Sequence, residues 1–386
     1  MSRVEIKNLK KAAERIKKAV KEKERIILYG DADLDGVSAV IILKEAIKNL
    51  GVHPAGVHIY FPDRETEGYG INKDALDYLK KYAPALLVAL DCGIGNFEEI
   101  KLAKSLGFEV VIIDHHKVLG KLPIASLVVN PHQGGDKYPF KEFATGGIVF
   151  KLAEVLLGKK LTPSLKKNFL ELAALATLAD MMPQEEDNAE FLEKGLVSLK
   201  NTVRPGLKIF WQLNSIDKNN VRQFAQKVIT ACHSGGTKNH LNEGYLLLTS
   251  VSEKEAENLA KDLLEKSYLR QQRIKEIVQE VEERALAKSE EPIIFEGSTS
   301  WPILMVGPAA SKIVRICKKP VFLYSRREKD SQGAVRTLPG IDGVRAMIRC
   351  SKFLETYGGH PQAAGFRIKN ENLEKFKKCL IKYFQE

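Results

Sequence analysis

The strongest constraint on the fold is an alternation. Short apolar runs, Arg25-Ile-Ile-Leu-Tyr-Gly-Asp31, His58-Ile-Tyr-Phe-Pro62, Ala85-Leu-Leu-Val-Ala-Leu-Asp91 and Phe108-Glu-Val-Val-Ile-Ile-Asp114, are separated by segments of helical character at 37–49, 72–82 and 97–106. Runs this short and this apolar predict strands buried on both faces. Strands that alternate with helices of about a dozen residues predict βαβ units, with a parallel sheet and helices on both of its faces. A surface helix over 5–22 precedes them, and 146–179 is helical and apolar. From Ser252 to about Lys288 the chain is rich in Glu, Lys, Leu, Ala and Arg without Pro or Gly, which predicts one long or slightly broken helix joining two domains. After Pro292 strand-like runs return, with Gly-rich turns at Gly358-Gly359 and a closing helix over 373–383. This predicts a second, smaller α/β or α+β unit.

The strand ends carry the chemistry. Asp31-Ala-Asp33-Leu-Asp35-Gly36 follows the first run directly. Three carboxylates this close repel one another unless cations or hydrogen-bond donors compensate them. An EF-hand loop begins the same way but needs Glu at its twelfth position, where this chain has Ile42. Taken alone, the motif also fits an aspartyl-phosphatase nucleophile at Asp31 or a plain set of acidic helix caps. The other strand ends shift that balance: Asp91 ends the third run, Asp114-His115-His116 follows the fourth, and Asp180 ends the apolar stretch 172–180. Ligands of an open parallel sheet bind beyond the carboxyl ends of its strands, so three strands deliver Asp, Asp and Asp-His-His to one rim. A carboxylate-dominated site with an imidazole suits manganese or magnesium above zinc. Two such ions about 4 Å apart would clamp a phosphoryl group for in-line attack. The spacing indicates a binuclear hydrolase.

Charge adds a location. The 386 residues hold 60 Lys+Arg against 49 Asp+Glu, a net charge of +11. Residues 290–386 carry 17 basic and 10 acidic groups, and the preceding 289 carry 43 and 39, so the excess lies at the C-terminal end. A Lys- and Glu-rich solvated surface, common in thermophilic proteins, explains much of the total but less of the asymmetry, which points to a polyanionic partner. The length predicts two domains or three. The apolar runs are too short to span a bilayer, and the charged N-terminus does not read as a signal peptide. Five cysteines with no CxxC pair argue against a disulfide framework and a cysteine zinc site, and favour a reducing cytoplasm.

The motif set 31–36, the Asp91-Cys-Gly-Ile-Gly95 strand end, Asp114-His115-His116 and Leu178-Ala-Asp180 resembles the four motifs of the DHH phosphoesterase superfamily, and more narrowly its RecJ-type single-strand exonuclease branch. Pro62-Asp-Arg64 with Glu67-Gly-Tyr69-Gly70, and Val129-Asn-Pro-His132, support it. Gly358-Gly359-His360-Pro-Gln-Ala-Ala-Gly365-Phe366 resembles the signature of the DHH-associated domain, and Gln332-Gly-Ala-Val-Arg336-Thr337 its Arg-bearing strand. The resemblance covers roughly residues 25–386. It implies a catalytic DHH domain over 1–250, a linker helix over 251–289 and a substrate-binding domain over 290–386. It also implies metal ligands at Asp31, Asp33, Asp35, Asp91, His115 and Asp180, holding two divalent ions, Mn²⁺ before Mg²⁺. His116 would contact the scissile phosphate or assist proton transfer, and Asp114 would orient the histidines. Arg64, Arg336, Gly358, Gly359 and His360 would bind substrate.

Two departures from the bacterial pattern stand out. No arginine matches the family's Arg- and Asn-containing stretch in Thr230-Ala-Cys-His233-Ser-Gly-Gly-Thr-Lys238-Asn-His240, where Lys238, His233 or His240 would have to take its place. Cys92 stands where many relatives have Asn. The chain also lacks room for an added oligonucleotide-binding domain, and its compactness and Lys/Glu richness look more like archaeal RecJ-like proteins, some of which associate with replication or repair factors. The leading expectation is a two-metal exonuclease on single-stranded DNA or RNA, with Tyr69, Trp301 and Tyr324 as candidate stacking platforms. A phosphodiesterase for very short oligonucleotides or cyclic dinucleotides, and a catalytically silent replication or repair scaffold, are the alternatives.

Overall fold

The computed structural model describes residues 4–51, 56–118, 120–213, 216–286 and 290–386. The chain divides into two compact units, Met1–Ser267 and Tyr268–Glu386.

The first unit begins with helix α1 (Leu9–Lys21), then alternates β1 (Ile26–Gly30), α2 (Leu34–Leu50), β2 (Val57–Tyr60), α3 (Lys73–Leu79), β3 (Ala85–Leu90), α4 (Phe97–Ser105), β4 (Phe108–Ile113) and β5 (Leu127–Val129). The five strands form one sheet in the order β2-β1-β3-β4-β5, and every neighbouring pair is parallel. The expected α/β architecture is therefore present, with β5 as an edge strand that the short Leu-Val-Val run did not announce. Alternation along each strand builds two cores. Ile26, Leu28, Leu86, Val88, Val111 and Ile113 face one layer of helices, while Ile27, Tyr29, Leu87, Ala89, Val110 and Ile112 face the other. That two-sided burial is why these runs are apolar at consecutive positions.

The rest of the unit is helical: α5 (Thr145–Leu157), α6 (Pro163–Ala179), α7 (Glu186–Leu199), α8 (Pro205–Leu213) and α9 (Val221–Cys232). The apolar stretch 146–179 is thus two helices. Gly158 closes the first, and Thr162 caps the second by accepting from Leu165 N at 3.2 Å, with Pro163 at the first helical position, where its missing N–H costs nothing. A two-stranded ribbon, β6 (Thr237–Lys238) with β7 (Leu241–Asn242), leads to α10 (Glu243–Thr249). Helix α11 (Glu253–Leu286) is continuous over its described length; Lys288 lies outside the described residues. Its Ala256, Ala260 and Leu263 join the core of the first unit, and Ile274, Ile277, Val278 and Val281 join that of the second.

In the second unit, β8 (Ile294–Ser298), α12 (Ile303–Cys317), β9 (Val321–Arg326), β10 (Asp330–Arg336), α13 (Gly343–Arg349), β11 (Thr356–His360), β12 (Ala363–Lys369) and α14 (Leu373–Gln385) form a mixed sheet in the order β11-β12-β10-β9-β8 with its own helices. Two expectations are corrected here. Gly358 and Gly359 lie within strand β11, paired with Gly365 and Ala364 of β12, and do not form a turn. Cys350 and Cys379 form a disulfide across a sequence separation of 29, so the odd cysteine count concealed one bridge and three free thiols. No described helix is long and apolar enough to cross a membrane.

Candidate metal centre and substrate-binding strand

The parallel ladder itself assembles the rim. Beyond the strand ends it continues for one more rung: Asp31 N donates to Leu90 O (3.1 Å), Asp91 N to Ile113 O (3.0 Å) and Asp114 N to Val129 O (3.1 Å). Each carboxylate therefore leaves its strand at the same level, one strand spacing from the next. Helix α2 begins at Leu34, earlier than its apolar periodicity suggests, because Asp33 caps it. The Asp33 carboxylate accepts from Asp35 N (3.0 Å) and Gly36 N (3.1 Å). Asp35 thus sits in the first helical turn. Gly36 is required by close approach: a Cβ there would lie 2.3 Å from Asp31 O.

Asp35 is fully buried, and both of its oxygens accept backbone hydrogen bonds from the N-terminus of α5, Thr145 N at 2.7 Å and Gly146 N at 2.6 Å. Thr145 Oγ1 donates to Asp91 Oδ1 at 3.0 Å. These two residues were not singled out from the sequence, although the Ala-Thr-Gly-Gly start of an apolar helix at 144–147 was a usable signal. His115 Nε2 lies 3.1 Å from Asp180 Oδ2, 3.4 Å from Asp91 Oδ1 and 3.9 Å from Asp35 Oδ2. That nitrogen is buried yet makes no hydrogen bond of good geometry among the described residues. An imidazole nitrogen ringed by three carboxylates and left without a proper proton partner fits a metal ligand. Three overlapping groups have the proximity a metal needs: Asp31, Asp33 and Asp91; Asp35, His115 and Asp180; and Asp91, His115 and His116. Asp91 belongs to two of them and so lies between two candidate positions.

The electrostatics point the same way. Burial, reinforced by the Asp180 charge, pushes Asp35 up to about 7. Burial and the Asp33 charge push Asp31 up to about 6, against the pull of Arg64. Asp91 is raised well above the carboxylate range by burial and by Asp35, Asp33, Asp31 and Asp180. Burial alone would lower His115, but the carboxylates of Asp180, Asp35 and Asp114 carry it to about 9. Without added positive charge, this crowd retains protons. Asp114 behaves differently: although burial opposes its anion, its contacts with His116 hold it below the usual range. It accepts from His116 Nδ1 at 2.8 Å, from His116 N at 3.0 Å and from Ile94 N at 3.1 Å, which fixes the ring of His116.

Arg64 lies among the acids, its guanidinium bridging both oxygens of Asp31 (Nε to Oδ1 3.0 Å) and reaching Asp33 Oδ2 at 3.0 Å. Tyr69, 54% exposed, donates to Asp91 O at 3.1 Å and lies 3.3 Å from His116 Nδ1. The other two stacking candidates are removed or reduced. Trp301 is 1% exposed within the core of the second unit, donating to Glu280 at 3.0 Å, and Tyr324 is half-buried against Phe295. The substitutes suggested for the unmatched arginine are also engaged. Lys238 pairs with Glu243 at 3.1 Å, and His240 stacks on Tyr60 with ring centroids 4.4 Å apart.

In the second unit, Arg336 of β10 is opposite Ala363 of β12, which is opposite His360 of β11, so these positions share one row of the sheet. Arg336 donates to Ser311 Oγ (3.0 Å) and Val335 O (2.8 Å), is lowered by burial, and has no carboxylate partner among the described residues. Strand β11 is exposed along its length. Gly359, one position before His360, has φ 128°, and a Cβ there would lie 2.6 Å from Ala363 O, so only glycine fits this position.

Two family models match, the DHH family N-terminal domain over residues 25–177 and the DHHA1 domain over residues 290–386. The chain belongs to the DHH family. Within it, the chain is 34% identical over 377 residues to the single-stranded-DNA-specific exonuclease RecJ of Bacillus subtilis, covering 96% of this chain and 47% of that protein. It is 30% identical over 381 residues to the RecJ of Thermus thermophilus, covering 96% and 54%. The DHH chain thus spans about half the length of these curated relatives. A solved exonuclease RecJ bound to manganese superposes with a TM-score of 0.84 at 26% identity, covering all of this chain and 96% of that one.

Proposed function

We propose that this chain is a two-metal phosphodiesterase that removes nucleotides from single-stranded DNA. The observation that carries the reading is the buried His115 Nε2 among Asp35, Asp91 and Asp180, beside a second acidic group built on Asp31 and Asp33. RecJ relatives that act on single-stranded DNA, and the manganese in a solved RecJ, support it.

Asp31, Asp33 and Asp91 would hold one divalent ion and Asp35, His115 and Asp180 the other, with Mn²⁺ preferred and Mg²⁺ accepted. Such ions supply an activated water and neutralise charge on the phosphate. The residues do the remaining work. The amide donors of Thr145 and Gly146 keep both oxygens of Asp35 in place. Asp114 holds the His116 ring with Nδ1 occupied, which leaves Nε2 to face the scissile phosphate and deliver a proton to the leaving oxygen. Arg64 grips a phosphate once the acids it now neutralises have been taken over by cations. Gly358 and Gly359 let the strand backbone approach a nucleic-acid end closely, with His360 and Arg336 binding its phosphates. The same reading puts the protein in the cytoplasm, near a replication or repair partner.

End-labelled single strands of several lengths, digested with Mn²⁺ or Mg²⁺, test this. The expected product is a ladder from one end on single-stranded DNA, abolished by EDTA, and matched RNA reports sugar preference in the same gel. Cleavage confined to strands of a few nucleotides would favour a small-substrate enzyme, and no cleavage with no Mn²⁺ binding would leave a scaffold. Arg336→Ala is expected to weaken strand capture and to reduce the slope of log affinity against log salt by about 1. A slope unchanged from the parent would remove Arg336 from the phosphate path.

A further inference from the structure

A cavity of about 300 Å³ opens between the C-terminal end of α6 and the start of α9, lined by Thr177, Leu178, Met181, Met182, Gln184, Arg222 and Gln226. Its lining residues Leu178 and Met181 flank Asp180 along the chain, and the Asp180 carboxylate lies 3.1 Å from His115, so the lining is contiguous in sequence with the acidic rim. None of the lining residues belongs to the candidate metal groups.

The lining has a particular chemistry. Arg222 makes a hydrogen bond to the Gln184 amide oxygen at 2.9 Å and has no carboxylate partner among the described residues. A guanidinium with no carboxylate partner, exposed at the cavity lining, is placed to take an anion, and it stands in the first turn of α9, where the helix dipole adds positive potential. Met181 is 87% exposed and adopts φ 52°, a left-handed conformation uncommon for an unbranched apolar residue. Its thioether is thus held in solvent at the cavity mouth, where core packing gains nothing from it. A polarisable, flexible thioether packs against any aromatic ring without selecting one. Gln184 and Gln226 offer amide donors and acceptors to a base edge. The volume lies at the lower end of small-molecule sites, the scale of one nucleotide.

We propose that this cavity is a nucleotide subsite, taking one nucleotide that flanks the scissile phosphate, with its phosphate on Arg222 and its base against Met181 and Met182. This rests on the reading that the acidic rim hydrolyses a nucleic-acid strand, and it deepens that reading by naming where a second nucleotide of the strand is held. Thioether contact and a phosphate clamp do not distinguish bases, so any base preference would come from Gln184 and Gln226 at the base edge.

Steady-state kinetics on the full chain with Mn²⁺ test it, using a single-stranded DNA pentamer and thymidine 5′-p-nitrophenyl phosphate, which has no flanking nucleotide. Arg222→Ala is expected to raise KM for the pentamer about tenfold with a much smaller change in kcat, and to raise KM for the ester several times less. Arg222→Lys should recover part of the loss for the pentamer, and Met181→Ala should raise its KM in the same direction. Equal effects of Arg222→Ala on both substrates, or no effect on either, would overturn the subsite while leaving the hydrolase reading intact. If the parent protein turns over neither substrate, the hydrolase reading itself fails and the subsite falls with it.

Discussion

His115→Ala is expected to reduce Mn²⁺-dependent hydrolysis by about 10³-fold or more while the protein still folds. The imidazole is the proposed nitrogen ligand in a ring of carboxylates, within 3.1 to 3.9 Å of Asp180, Asp91 and Asp35. Removing it opens one coordination position and leaves three acids facing each other across the gap. A displaced or missing ion forfeits several kcal/mol of transition-state stabilisation, and about 4 kcal/mol corresponds to three decades in rate. His115 lies beyond the carboxyl end of β4 and outside the apolar core clusters, so its loss should leave the circular dichroism spectrum unchanged. The decisive measurement is turnover of a labelled single strand at saturating Mn²⁺, alongside calorimetric Mn²⁺ titration. Parent-like turnover in the variant would remove His115 from the metal centre.

The second large effect is on stability. Asp35 is held at about 7, Asp31 at about 6 and Asp91 well above the usual range. Unfolded, each would titrate near about 4. Between those values the folded chain binds protons that the unfolded chain has released, so these groups contribute stability that is complete below about pH 4. That contribution is lost as pH rises through 6 to 7 and beyond. In EDTA, Tm should therefore fall as pH rises across this window from these acids, and the Tm gain on adding Mn²⁺ should be larger at about pH 7.5 than at about pH 5.

Asp91→Asn isolates this effect. Asn can still accept from Thr145 Oγ1, and the φ of 62° at this position suits Asn. Replacing this clustered acid by a group that needs no proton to be neutral should raise Tm in EDTA at about pH 7.5 by about 2–4 °C, the shift that about 1 kcal/mol produces, and should erase most of the Mn²⁺-dependent gain. A lower Tm in EDTA together with an intact Mn²⁺ gain would contradict both the repulsion and the ligand role. Asp35 is not suited to the same test, because both of its oxygens accept backbone N–H groups and an amide would set a donor against a donor.

Much of this was legible in the sequence. The apolar runs at 26–30, 85–90 and 108–113 predicted a parallel sheet because only strands covered on both faces need consecutive apolar residues. Their terminal acids marked the rim, since a parallel sheet puts all its strand ends on one side. Local signals failed where pairing decided the outcome. Gly358-Gly359 reads as a turn by composition but is an edge strand, because β12 supplies partners for its backbone. Trp301 reads as a possible platform but is enclosed by its own unit. The Cys350–Cys379 bridge joins positions that α13 and α14 bring together and that no spacing rule could pair.

The sequence by itself determined the fold class and the kinds of groups at the rim, because strand period and residue type are local properties. Only the tertiary structure decided which groups meet. It set the amides of α5 against Asp35, made Asp91 common to two candidate metal groups, tied Asp114 to His116, and left Arg222, at the lining of a cavity, without a carboxylate partner among the described residues. Those relations join residues far apart along the chain, and a carboxylate's charge and reach are fixed by the neighbours that folding gives it.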